Sequence, residues 1–87
     1  MEGVRYKIVR VMRDGSKTFL KTGGGLHGYW WGTEAREALN FDATESLKVM
    51  HDAAATIGGI AEYHVVPYHD NDTPVKGAPV SILKVAM

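Results

Sequence analysis

Residues 4–22 read VRYKIVRVMRDGSKTFLKT, and this stretch decides the fold class. The run from Val4 to Met12 is rich in β-branched and aromatic side chains and partly alternates, which predicts a strand. Asp14-Gly15 then supplies the strongest short hairpin signal, because both central residues of a type I′ turn need positive φ. Residues 16–22 return as a second strand. A two-residue turn sets a register with Met12 opposite Lys17, Arg10 opposite Phe19 and Ile8 opposite Lys21. On that register one face carries Tyr6, Ile8, Arg10, Met12, Lys17, Phe19 and Lys21. The other carries Val9, Val11, Thr18 and Leu20 with Arg5, Lys7 and Arg13. Neither face is wholly apolar, so the pattern alone leaves the core-facing side open.

Beyond the hairpin, Gly23-Gly24-Gly25 opens a glycine loop that runs to Gly28, and Tyr29-Trp30-Trp31 reads as a short strand. Thr33 to Leu39 reads as a helical turn with Ala35, Ala38 and Leu39 on one side, and Asn40-Phe41 as extended chain. Asp42 is placed to cap the main helix, with Glu45 completing a capping box. Leu47, Met50, Ala54 and Ile57 fall on one helical face, and Gly58-Gly59 supplies the stop. One continuous helix over 34–57 is the alternative; the Asn40-Phe41-Asp42 interruption argues for a break. Residues 60–68 form another strand, in which Pro67 cannot donate a ladder bond and so marks an edge or a strand end. A polar loop over 69–79 leads to a last strand at 80–86. The order β-β-(β)-α-β-β predicts an α+β fold, an antiparallel sheet with one main helix packed on one face.

The 87 residues suffice for a single domain, 1–87, with a thin core. There is no cysteine, which removes disulfides, zinc-thiolate sites and thiol nucleophiles together and favours a cytoplasmic location. No apolar run approaches the length of a signal segment or a membrane span, so no membrane partner is expected. Net charge is zero but uneven: residues 1–22 hold six basic and two acidic groups, the other 65 four basic and eight acidic.

Few residue sets suggest chemistry. Gly23-x-Gly25-x-x-Gly28 matches the dinucleotide fingerprint in letters only, because no helix begins after it. His64, His69, Asp70 and Asp72 lie within nine residues and form a candidate metal set for a hydrolase, yet their spacing matches no metal motif, and the favoured reading is a solvated turn in which Asp and Asn bond their own backbone. No serine or threonine carries a local nucleophile signature. The expectation is a chain that is not an enzyme and needs no cofactor.

Trp30-Trp31 is the most informative pair. Neighbouring strand residues point to opposite faces, so under a single helix one indole enters the core and the other faces outward. Exposed tryptophan is favoured at interface hot spots. His27, Tyr29, Trp30 and Trp31 are therefore the candidate partner-binding residues. The second candidate surface is the basic hairpin, where Arg10, Lys17, Phe19 and Lys21 would interleave charge and aromatics suited to nucleic acid. The apolar last strand can also pair with a second copy of the chain to form a homodimer through an edge.

Tyr6-Lys7-Ile8, Phe19-Leu20, the glycine turn, Trp31, Glu34-Ala35, Phe41 and the helix capped at Asp42 together resemble small accessory proteins encoded by bacteriophages and mobile elements, anti-CRISPR proteins among them. The resemblance covers roughly residues 5–68 and implies a non-catalytic protein that occupies a surface of a host protein complex. It assigns no site residues.

Overall fold

The computed structural model describes residues 4–23, 28–57, 61–71, 73–77 and 81–85. Strands β1 (Val4–Met12), β2 (Lys17–Gly23), β3 (Tyr29–Gly32), β4 (Ala61–His69) and β5 (Ser81–Val85) form one antiparallel sheet in the order β3-β2-β1-β4-β5. Helix α1 (Ala43–Ile57) lies across one face, and a 3-10 turn at Ala35–Glu37 links β3 to it. The α+β class, the element order and the break before the helix are as the sequence predicts.

The hairpin forms at Asp14-Gly15, but its register is one residue away from that of a two-residue turn. Val9 pairs with Phe19, Arg10 with Thr18 and Val11 with Lys17. The loop has three residues. Gly15 N–H donates to the Met12 carbonyl at 3.0 Å, Gly15 takes φ +89, and Met12 N–H donates to the Ser16 carbonyl at 2.8 Å. This is the turn-plus-left-handed-glycine loop, in which only the last position needs positive φ. Asp14 holds it: one carboxylate oxygen accepts from Ser16 N–H (2.9 Å) and Ser16 Oγ (2.6 Å). The Ser16 hydroxyl, more than its N–H, keeps the Asp14 carboxyl below its ordinary range.

A slip of one residue moves a whole strand's side chains to the other face. Ile8 and Arg10 thus share the helix side with Thr18 and Leu20, while Val9 and Val11 share the opposite side with Lys17 and Phe19. The expected grouping of Arg10 with Phe19 does not occur.

On the helix side, Ile8, Leu20, Tyr63 and Val65 from the sheet meet Met50 and Ala54 from α1. Asp42 caps the helix, its carboxylate accepting from Glu45 N–H at 2.7 Å. The buried stripe differs from the expected one. Ser46, Met50, Ala53 and Ala54 are buried, whereas Leu47 is 41% exposed. Ser46 is tolerated inside because its hydroxyl donates to the Ala43 carbonyl at 2.7 Å. Its small size, with that of Ala53 and Ala54, lets the helix sit close to the sheet. The Ile57 side chain and the Gly58-Gly59 stop lie outside the described residues.

Pro67 stands in the paired run of β4 opposite Tyr6. Tyr6 directs its N–H and carbonyl away from β4, to Phe41, at 3.0 and 2.9 Å. Pro67 therefore faces the other way, where Val75 N–H donates to its carbonyl at 2.9 Å. No β1–β4 bond is lost to the missing N–H, so the proline reading holds locally even though β4 is an interior strand. Residues 39–41 complete the sheet on the other flank. Leu39 N–H bonds to Leu20 O (2.9 Å) and Phe41 bridges to Tyr6, so the segment occupies the gap where β2 diverges from β1.

Candidate functional site

Strand β3 is four residues long and terminal in the sheet, and it divides its aromatics by alternation. Trp31 pairs with Leu20 and packs on the helix-side core, its ring 5.9 Å from that of Tyr63. The Arg10 guanidinium sits 4.5 Å over the indole, and Arg10 Nε donates to Thr18 Oγ1 at 3.3 Å. Trp31 Nε1 and the Tyr63 hydroxyl are buried without a hydrogen-bond partner. Tyr29 also faces the helix side, and its hydroxyl donates to the Asp52 carboxylate of α1. That bond, followed by desolvation and the Asp52 charge, pushes the Tyr29 hydroxyl up to about 12. Trp30 points the other way and is 61% exposed. A β-bulge between Leu20 and Thr22 shifts the β2–β3 register so that Thr22 faces Trp30.

Of the four expected contact residues, then, Trp30 is the outward one. Tyr29 and Trp31 bind strand to helix and core. His27 lies outside the described residues.

The basic hairpin does not form one patch. Arg10 lies on the helix side over Trp31. Lys17 and Phe19 lie on the opposite side, and Lys21 pairs with Glu37 at 3.6 Å while its methylenes cover Gly32. The cause is the three-residue loop, which separates Arg10 from Phe19 by one sheet thickness.

The candidate metal set is also dispersed. His64 and His69 are five positions apart in β4, hence about 17 Å along the strand and on opposite faces. His64 Nε2 lies 3.2 Å from Glu62, and Asp72 lies outside the described residues. Among the described residues no three His, Cys, Asp or Glu side chains are placed to hold a metal ion. After Gly28, which takes φ +72, the chain enters β3 and not a helix, so the glycine fingerprint lacks its phosphate-binding helix.

The helix-free face holds a feature that the sequence pattern did not reveal. A groove of about 410 Å³ runs between the sheet and residues 74–77, with Val9 and Val66 at its base and Phe19, Tyr68, Lys17 and Lys76 around it. Only the register of β4 against β1 brings these residues together; the alternation of His64, Val66 and Tyr68 was its one local sign. Beside it Lys7 is fully buried, donating to Asn40 Oδ1 at 2.8 Å with its ammonium 5.4 Å from the Tyr68 ring centre. At the other sheet edge, β5 leaves Ile82 50% exposed. Among the described residues no helix is long and apolar enough to cross a membrane.

Comparison with protein-family models, with curated proteins and with solved structures finds no match to this chain.

Proposed function

We propose that this chain is a non-enzymatic protein-binding module that meets its partner at Trp30. The observation that carries the reading is the 61% exposure of that indole, on an edge strand whose other aromatics turn inward. An aromatic side chain buries up to about 250 Å², so covering the exposed part of Trp30 removes roughly 150 Å² from water. At about 25 cal/mol/Å² this is worth roughly 4 kcal/mol before the costs of association, the scale of an interface hot spot. The outer side of β3 adds backbone donors and acceptors along which a partner strand can lie.

The resemblance to phage-encoded accessory proteins names the target class to try first, a bacterial host defence complex, with the chain as its inhibitor. The test is a nuclease-treated pull-down against purified defence complexes, using wild type, Trp30→Ala and Leu47→Ala. Leu47, 41% exposed on α1 at the flank of its buried stripe, serves as the control. Stoichiometric capture lost in Trp30→Ala and kept in Leu47→Ala supports the reading. Capture that survives Trp30→Ala, or is lost equally in both, removes Trp30 from the interface.

A further inference from the structure

We propose that the groove on the helix-free face binds a small organic anion built on a planar apolar ring. This site is separate from Trp30 and does not depend on the reading of that residue.

The groove's volume, about 410 Å³, lies within the range of small-ligand sites, and its composition follows the same rule of apolar walls with a few placed polar groups. Val9 and Val66 are buried and form an apolar base. Phe19 and Tyr68 meet edge to face with centroids 6.5 Å apart, which gives one wall two aromatic rings fixed by their mutual contact.

The opposite wall is residues 74–77, and it is tied to β4 by backbone bonds. Pro74 bridges Tyr68, Val75 N–H donates to the Pro67 carbonyl, and His69 N–H donates to the Thr73 carbonyl at 2.8 Å. Gly77 turns the chain with φ +87. Ligand binding therefore need not order this wall, which keeps the entropic cost low.

Charge selects the ligand. Lys17 and Lys76 line the groove, and among the described residues no carboxylate does. Glu62, on the same face of β4, lies 3.2 Å from Nε2 of the groove residue His64. Two ammonium groups above an apolar slot favour a ligand with one anionic group and a flat body. A neutral aromatic would leave the lysines without a counter-charge, and an aliphatic acid would leave the ring walls unfilled.

The probes are 2-naphthoate, its neutral isostere 2-naphthamide, adenosine 5′-monophosphate and adenosine, each titrated into the isotope-labelled protein and followed by backbone amide shifts. Saturable shifts at Val9, Phe19, Val66 and Val75 with the anions are expected. Binding should weaken roughly fivefold or more when the charge is removed from the probe, and similarly in the Lys17→Ala/Lys76→Ala double variant, whose exposed substitutions leave the fold intact. The tighter of the two anions identifies the group as carboxylate or phosphate. Three results would overturn the proposal: no saturable shift at millimolar probe, equal binding of the neutral isosteres, or shifts centred on Trp30 instead of the groove.

Discussion

The two adjacent tryptophans should behave oppositely when truncated. Trp31→Ala removes an indole packed against Tyr63 and the helix-side core and covered by Arg10. Complete loss of a buried aromatic costs about 3–5 kcal/mol. Trp31 is half-buried, and its indole N–H has no partner to lose, so about 2–3 kcal/mol is the expected cost. In a domain of this size each kcal/mol moves Tm by about 4–8 °C, giving a fall of roughly 10–20 °C. Trp30→Ala removes a side chain that is 61% exposed and should stay within about 0.5 kcal/mol, or less than about 4 °C. Thermal unfolding followed by far-UV circular dichroism measures both. Because the chain has only these two tryptophans, Trp31→Phe and Trp30→Phe each leave one reporter. Iodide should quench the remaining Trp30 strongly and the remaining Trp31 weakly. Equal Tm losses, a larger loss for Trp30→Ala, or equal quenching would refute the division of β3 into an inner and an outer face.

Other expectations follow from single contacts. Tyr63→Phe removes a buried hydroxyl that has no partner and should raise stability by about 1 kcal/mol, read from the urea midpoint at unchanged slope; a loss of that size would mean the hydroxyl is bonded in solution. Gly15→Ala meets no atom within 4 Å, so its cost is purely that of a left-handed backbone, about 1–2 kcal/mol, with Gly15→Asn costing less; equal midpoints for the two variants would contradict the loop geometry. The bond from Tyr29 to Asp52 stabilises the fold while Tyr29 is protonated, fully so below the ordinary tyrosine value near 10, and is lost as pH rises through about 12. Ultraviolet titration should show Tyr29 ionising late and shifting down toward the ordinary value in Asp52→Asn; no shift would separate Tyr29 from Asp52.

Much of the fold was legible because it rests on local signals. Asp14-Gly15 located the hairpin, Asp42 the helix start, and Asn40-Phe41 the break before it. Loop length was not legible, since Asp-Gly serves both two- and three-residue loops, and here the Asp14–Ser16 bonds settle it. That single residue decided which face held Phe19, and with it whether the basic hairpin was a patch. The helix stripe was misjudged where a polar letter, Ser46, satisfied itself within its own turn and entered the core in place of Leu47. For the candidate site, alternation foretold that one tryptophan would face out. Which one depended on the helix side of the sheet, a tertiary fact. Beyond the alternation of His64, Val66 and Tyr68 the groove left no sign in the sequence, because its lining comes from three separate strands and a loop.

The central ladder has a consequence for how the chain is made. β1 finds its hairpin partner within ten positions, as in Val9 with Phe19, but its long ladder with β4 joins Val4 to His69 and Met12 to Ala61. Those partners are separated by 65 (69 − 4) and 49 (61 − 12) positions. At about 5–20 residues per second, a ribosome delivers β4 roughly 3–13 s after β1, whereas a hairpin closes in microseconds. Throughout that interval an apolar strand waits with one side unpaired. Arg5, Lys7 and Arg10, spaced along it, are well placed as gatekeepers that keep nascent chains from pairing with one another until β4 arrives and buries Lys7 against Tyr68.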